Sequence, residues 1–180
     1  MILPFWNPVR GKLRVAGLAS GSGNTLWKVL DLQRELERTW EGSPFEVVAL
    51  FSDSPDAKCV ATAAEYRIPC ESVGIRAFYE KRGAPLKDRE VRREYDGVIL
   101  EKLSPYCPDL ILLAGYVWAT TDAVTKSILT VGVHPADLSV VKNGKRAYAG
   151  ADGVGSTLAG GEREIRASSY LATPEIDGGP

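Results

Sequence analysis

The sequence has few residues suited to metal, redox or proton-transfer chemistry, which narrows the classes of protein it can represent. A single histidine, His134, occurs in 180 residues. The three cysteines, Cys59, Cys70 and Cys107, form no CxxC motif and no Cys/His pattern with metal-ligand spacing. We therefore expect neither a disulfide framework nor a zinc site, and reduced thiols in a cytoplasmic protein are the simpler interpretation.

The sequence also lacks long hydrophobic runs and a large charge excess. No segment reaches the roughly eighteen consecutive apolar residues of a membrane span, and residues 1–12, interrupted by Pro4 and Pro8, are too short an apolar run for a signal peptide. The net charge of −1 gives no overall field that would attract nucleic acid or an anionic membrane. We predict one soluble domain over residues 1–180, with residues 1–12 as a loose leader.

Short apolar runs alternate with segments of helical periodicity along the chain. The apolar runs predict strands over residues 13–19, 45–52, 68–73, 110–114 and 130–133. This alternation predicts an α/β fold, a Rossmann-like parallel twisted sheet with helices on both faces, in which ligands bind outside the carboxyl ends of the strands.

The segments between these runs complete the predicted order of elements. Gly, Pro and charged residues over 74–88 predict a surface loop, and a last strand is expected over 164–172. The first predicted helix carries its apolar residues at Leu26, Val29, Leu30, Leu36 and Trp40. Further helices are predicted over residues 57–66, capped by Ser54 or Asp56, from residue 88 until Pro108, and over 121–129, starting at Thr121 or Asp122. Residues 154–159 predict a weaker helix.

A glycine-rich turn, SGSGNT, joins the first predicted strand to the first helix. Gly21 and Gly23 let the backbone approach an anion closely, and the helix N-terminus favours negative charge there. The pattern is neither GxGxxG nor a P-loop with its lysine, so a small phosphorylated ligand fits better than a dinucleotide or a triphosphate. The alternative is a turn that only joins two elements, with Asn24 or Thr25 as helix cap.

Two further features allow a structural as well as a functional interpretation. His134 follows a predicted strand directly and is the residue best suited to moving protons at neutral pH, although a lone histidine is often a surface or core residue. The basic cluster of Arg89, Arg92 and Arg93 is interpreted as a solvated helix face.

Four motifs carry a resemblance to a known family: GLASGSGNT, PDLILLAGY, HPADLS and EIDGGP. Their order and separations make the chain, from about residue 13 to residue 180, similar to the folate-dependent formyltransferases, and closest to the branch that acts in purine synthesis. The resemblance implies formyl transfer from 10-formyltetrahydrofolate, as co-substrate, to the amine of glycinamide ribonucleotide, without a metal. It implies small-molecule partners rather than nucleic acid or a membrane, and leaves a homodimer open.

The resemblance also implies roles for particular residues. His134 and Asp177 match the catalytic histidine and the aspartate of a D-x-G-P turn, and the carboxylate would favour the charged imidazole. His134 would stabilise the oxyanion and relay a proton from the attacking amine to the departing folate nitrogen. Without the resemblance, Asp177 is a turn-forming residue before Gly-Gly. The substrate phosphate would bind Ser20, Gly21, Ser22, Gly23, Asn24 and Thr25, and the folate would contact Arg92, Val117, Thr173, Glu175 and Ile176.

The chain departs from the family pattern beside the histidine. Gly132 stands where the family has asparagine, and residues 149–154 and Tyr170 stand where it has further histidines. A positioned amide donor for the oxyanion can contribute roughly 3–4 kcal/mol, which glycine cannot supply. Four explanations of Gly132 stay open. The reaction rate is reduced, a backbone N–H or a water molecule replaces the amide donor, the chain is a ligand-binding homologue without the reaction, or the glycine was introduced deliberately.

Other outcomes of the resemblance also stay open. Formyl transfer to an amino sugar or to methionyl-tRNA and hydrolysis of the formylfolate are alternative reactions. Family members continue past the D-x-G-P turn with a strand and a C-terminal helix that contributes to the phosphate site. We therefore expect the C-terminal part of the domain to be truncated at Pro180.

Overall fold

A computed structural model of the chain describes residues 6–39 and 41–180. The strands are β1 (Leu13–Ala19), β2 (Phe45–Ser52), β3 (Cys70–Ser72), β4 (Leu110–Leu113), β5 (Leu129–His134), β6 (Val141–Lys142), β7 (Lys145–Arg146) and β8 (Ser168–Leu171). The helices are α1 (Asn24–Thr39), α2 (Lys58–Tyr66), α3 (Ile75–Glu80), α4 (Arg89–Leu103), α5 (Asp122–Thr125) and α6 (Gly153–Ala159), with 3-10 turns at Pro8–Arg10 and Ser104–Tyr106.

Six strands form one sheet in the order β3-β2-β1-β4-β5-β8. The pairs among the first five strands are parallel, as predicted, whereas β8 runs antiparallel to β5. The sheet is therefore mixed, with its one antiparallel strand at the β8 edge. The strand order reverses between β1 and β4, which is where open α/β sheets bind ligands.

Helices cover both faces of this sheet, as the sequence predicted. On one face, Leu26 and Leu30 of α1 pack with residues of α2 against β1 and β2. On the other face, Tyr95 and Ile99 of α4 pack with α3 and α5. Strands buried on both faces explain the continuous apolar runs in the sequence.

The predicted surface loop over 74–88 is wrong in its first half, where α3 forms. Ile75 and Tyr79 of this helix are each only 2% exposed. Their i, i+4 spacing places both side chains on one face, and burying that face stabilises a helix that neighbouring Gly and Pro residues made hard to predict.

Several predicted boundaries also change. The cap before α2 is Ala57, which makes no side-chain capping bond, so neither Ser54 nor Asp56 caps that helix. Thr121 does cap α5, accepting a hydrogen bond from the Ala123 N–H at 3.3 Å, but the helix is much shorter than predicted. Strand β8 is likewise shorter than predicted, and α4 ends before Pro108. Trp40 and residues 1–5 of the predicted leader lie outside the described residues.

Two further features concern thiols and membrane spans. All three cysteines are free. Across residues 6–39 and 41–180, none of the helices combines the length and the apolar character needed to cross a membrane.

Candidate active site

The carboxyl ends of β1, β4 and β5 meet at one edge of the sheet, where the predicted site residues lie. The loop after β1 is tied to the segment after β4, because the Ser20 N–H donates to the Gly115 carbonyl at 3.2 Å and the Ser20 Oγ accepts from the Val117 N–H at 3.0 Å. Strand β5, the other neighbour of β4, ends at His134. The topology therefore brings residues distant in sequence to a common edge.

A cavity of about 350 Å³ opens at this edge. Its walls come from the segments after β4 and β5 and from the turn after β8. Six of the residues that the resemblance implies line it together: His134, Val117, Thr173, Glu175, Ile176 and Asp177.

His134 lies in the wall of this cavity with oxygen atoms at both ring nitrogens. The side chain is 7% exposed, its Nδ1 lies 3.4 Å from the Asp177 Oδ2, and its Nε2 lies 2.6 Å from the Tyr148 carbonyl oxygen. A carbonyl oxygen only accepts, so the Nε2–H donates to Tyr148. The Asp177 carboxylate, on the Nδ1 side of the ring, is placed to provide the counter-charge for the imidazolium that forms when His134 takes up a proton.

The turn that carries Asp177 is fixed by the hairpin of β6 and β7. Asp177 has a left-handed backbone, with φ of 50°. Its Oδ2 also accepts a hydrogen bond from the Gly150 N–H at 2.8 Å. The Arg146 guanidinium donates to the backbone carbonyl of Asp177 and, at 2.6 Å, to that of Gly179. These bonds hold the carboxylate beside the imidazole.

Gly132, which stands where the family has asparagine, faces Tyr170 across the β5–β8 pair. A Cβ atom built on Gly132 would lie 2.3 Å from the Cζ and 2.6 Å from the Oη of Tyr170. The tyrosine ring therefore occupies the space into which a side chain at Gly132 would extend. Burial, followed by the Asp177 carboxylate nearby, raises the pKa of Tyr170, so its hydroxyl is a neutral donor at physiological pH.

Arg92 is not part of a solvated face, which corrects that interpretation of the basic cluster. It is 7% exposed; its Nε lies 3.3 Å from the Asp96 Oδ1, and its Nη2 donates to the Tyr116 hydroxyl at 3.1 Å. Burial raises the pKa of Asp96, and the Arg92 charge opposes that rise. Arg89 and Arg93, by contrast, are exposed.

Arg92 borders a second cavity, of about 520 Å³, rather than the one that contains His134. The two cavities adjoin, since Trp118, Thr120, Glu175 and Ile176 line both. The described residues give the Arg92 Nη1 no hydrogen-bond partner. A ligand that spans both cavities would therefore pass from the His134 side to the Arg92 side.

The glycine-rich loop after β1 does not line the cavity of His134. Its fold is set by backbone acceptors: the Gly21 carbonyl accepts from the Cys59 N–H at 3.0 Å, and the Ser22 carbonyl accepts from the Trp27 Nε1–H at 2.9 Å. Gly23 has φ of +68°, and a Cβ there would lie 2.9 Å from the Cys59 Cβ. The loop lies beyond β4 from His134 and connects to its cavity through Ser20.

Sequence reasoning missed three contributors to the site. Tyr148 acts through its backbone carbonyl, which leaves no signal in residue type. Gly153 lies so close to the histidine that a Cβ there would be 2.5 Å from the His134 Nε2. Arg146 lies in the segment 140–161, which is rich in Lys, Gly and Ala and has no clear periodicity, and its partners are backbone carbonyls far along the chain.

The sheet order and the cavity at the strand ends define the class: an α/β protein that binds small molecules at the edge where the strand order reverses. Among the described residues, no group of three or more His, Cys, Asp or Glu side chains could hold a metal ion. A comparison with known families matches residues 13–180 to the family described as Formyl transferase. The chain belongs to this family, and is thus a formyl-transferring enzyme with a folate-type co-substrate and small-molecule substrates.

Individual relatives agree with this placement. The chain is 25% identical over 170 residues to phosphoribosylglycinamide formyltransferase of Escherichia coli K12, covering 93% of this chain and 69% of that protein. It is also 25% identical over 169 residues to the Bacillus subtilis 168 enzyme of the same name, covering 93% and 75%. The crystal structure of glycinamide ribonucleotide transformylase 1 from Symbiobacterium toebii has the same fold, with a TM-score of 0.75, 24% identity and coverage of 94% and 70%.

Proposed function

We propose that this chain transfers the formyl group of 10-formyltetrahydrofolate to the amine of glycinamide ribonucleotide in purine synthesis. The observation that carries the proposal is the His134–Asp177 pair, with 3.4 Å between Nδ1 and Oδ2, in the wall of a cavity at the sheet edge. The names of the relatives supply the substrate.

The proposed reaction joins the amine nitrogen to the formyl carbon and breaks the bond from that carbon to the folate nitrogen. The proton lost by the amine has to reach the departing nitrogen, and an imidazole paired with a carboxylate is suited to that transfer. His134 has to exchange the Tyr148 carbonyl for substrate before its Nε2 can take part, since that bond occupies the nitrogen at 2.6 Å. Substrate entry would provide the replacement partner.

We assign the ligand contacts by the family match and the cavity walls. The pterin would lie beside Val117 and the turn of Thr173, Glu175 and Ile176, and the folate tail would extend to Arg92 through the adjoining cavity. The substrate phosphate would bind the loop of Ser20, Gly21, Ser22, Gly23, Asn24 and Thr25, where the N-terminus of α1 favours an anion.

We also propose that the chain forms one domain and acts in the cytoplasm. Support for one domain is the uninterrupted family match over residues 13–180. Support for a cytoplasmic location is that all three thiols are free.

Steady-state formyl transfer from 10-formyltetrahydrofolate to glycinamide ribonucleotide tests the reaction. We expect His134→Ala to lower kcat by roughly 10²–10⁴-fold, because it removes the proton-transfer group. Asp177→Asn should also lower kcat, because the amide cannot provide the counter-charge for the imidazolium. A His134→Ala variant with an unchanged rate would contradict the proposal.

A second candidate is a ligand-binding homologue without the reaction. Gly132 favours it, because the family's asparagine donor is absent there. Calorimetric titration with each ligand, beside the transfer assay, separates the two: binding of folate and ribonucleotide without turnover supports the homologue, whereas turnover excludes it.

A further inference from the structure

The proposed reaction develops negative charge on the formyl oxygen, so the site needs a hydrogen-bond donor aimed at that atom. In the proposed reaction the His134 Nε2 leaves the Tyr148 carbonyl to transfer the amine proton, and its Nδ1 faces the Asp177 carboxylate. The Trp118 Nε1–H donates to Asp53 at 2.7 Å, and the Thr173 hydroxyl donates to the Glu175 carbonyl at 3.4 Å. These side chains of the cavity wall are therefore committed elsewhere.

Tyr170 occupies the position from which a donor is missing. Its ring fills the space above Gly132, and it lines the same cavity as His134 and Asp177. Gly132 of β5 and Tyr170 of β8 are direct partners in the strand pairing. Gly132 lies two residues before His134 on β5. Alternate residues of a strand point to the same face, so His134 and the space above Gly132 lie on one side of the sheet.

We propose that the Tyr170 hydroxyl is the catalytic donor that stabilises the oxyanion of the formyl group, in place of a side chain at Gly132. The inference rests on the proposed function. It makes the glycine and the tyrosine a matched pair: the hydroxyl can reach this position only because Gly132 has no Cβ.

The hydroxyl proton is available for this role. Tyr170 lies close enough to Asp177 for the carboxylate to affect its ionisation. However, that carboxylate already faces the Gly150 N–H and the His134 Nδ1. Turning the hydroxyl toward the substrate therefore leaves Asp177 with hydrogen-bond partners, so the change costs little.

The test is Tyr170→Phe, which keeps the ring over Gly132 and removes only the donor. We expect kcat to fall roughly 10²–10³-fold, as when an oxyanion donor is removed, with KM for both substrates nearly unchanged. Tyr106→Phe is the matched control. The Tyr106 hydroxyl also donates to a carboxylate, that of Glu71, at 2.9 Å, but Tyr106 precedes the amino end of β4, whereas the cavity lies at the carboxyl end. It should keep the wild-type rate.

Three outcomes would overturn the inference. A Tyr170→Phe variant within a few-fold of the wild-type kcat would show that the hydroxyl is not used. A shifted pH profile with an unchanged maximal rate would show that Tyr170 only positions the His134–Asp177 pair. A wild-type chain that binds both ligands without transfer would overturn the proposed function and this inference with it, whereas the first two outcomes leave the proposed function intact.

A compensating pair of substitutions gives a second test. Tyr170→Ala removes the phenol together with its ring and opens the space above Gly132. Adding Gly132→Asn then supplies the amide that the family resemblance implies. We expect the double variant to recover at least about tenfold of the kcat lost in Tyr170→Ala, because the donor returns from the opposite strand. No recovery, with folate binding intact, would count against an oxyanion donor at this position.

Discussion

The structure gives Gly132 a different role from the one that the sequence suggests. In the sequence, Gly132 stands where a side-chain donor is expected, whereas in the structure it leaves room for the Tyr170 ring. Sequence analysis identified Gly132 and Tyr170 separately and did not pair them, because antiparallel pairing across distant segments is not encoded in local periodicity. The same limit applies to His134 and Asp177, whose proximity followed from the family resemblance and from no local pattern.

Gly132→Asn alone should therefore reduce stability without raising the rate. Its Cβ would lie 2.3 Å from the Tyr170 Cζ, and the ring would have to move out of a packed position. Overpacking of this kind costs roughly 1–3 kcal/mol of unfolding free energy. Urea denaturation and the transfer assay measure the two effects.

The control for this prediction is Gly97→Ala in α4. A Cβ at Gly97 meets no atom within 4 Å, so alanine should keep or slightly raise stability. A Gly132→Asn variant with wild-type stability and a faster rate would show instead that the missing amide limits the reaction.

At the scale of elements, the sequence predicts best where burial is uniform. The bounds of β1 and β2 agree with their apolar runs, because both faces of these strands are covered. Helix α3 was missed because only two of its residues are buried and its neighbours in sequence include Gly and Pro. The direction of β8 was missed because apolar alternation is the same for a parallel and an antiparallel strand.

Helix α4 provides a pH-dependent prediction through Asp96. This side chain is fully buried, and its Oδ2 accepts from the Thr121 N–H at 2.6 Å. Because burial raises the pKa of Asp96 in the folded state, the folded state holds this proton more tightly than the unfolded chain does. Its contribution to stability is therefore present at low pH and is lost as pH rises from the ordinary aspartate range through the raised pKa.

Asp96→Asn removes that titration and keeps an oxygen acceptor for Thr121. The unfolding free energy of the wild type, minus that of the variant, should decrease between pH 4 and pH 7 in urea titrations. Asp122→Asn is a control of opposite sign, because the hydrogen bond from Lys126 lowers the pKa of Asp122. Its difference should grow as pH rises through the lowered pKa to the ordinary aspartate range and then stay nearly constant up to pH 7. A difference for Asp96 that grows between pH 4 and pH 7 would contradict the argument.

On the scale of the whole molecule, two cores share one set of strands. Ala16 and Leu18 of β1 belong to the core under α4, whereas Val15 and Ala19 of the same strand belong to the core under α1. Neither core can lose its strands without exposing the other. The composition and the α/β pattern were enough to predict this layering, but the cavity was not predictable, since it is built from connecting segments that local patterns leave undefined.

Shared strands predict a single cooperative unfolding transition, as expected for the proposed one-domain chain. Leu30→Ala and Ile99→Ala remove buried side chains, 4% and 0% exposed, from opposite faces, and each should cost about 2–5 kcal/mol. Leu32→Ala, in the same helix as Leu30 but 47% exposed, should cost far less. In every variant the calorimetric and van't Hoff enthalpies should agree. If the transition splits in Leu30→Ala or Ile99→Ala, the two cores unfold independently. That outcome would contradict the prediction, which depends on strands that are buried on both faces.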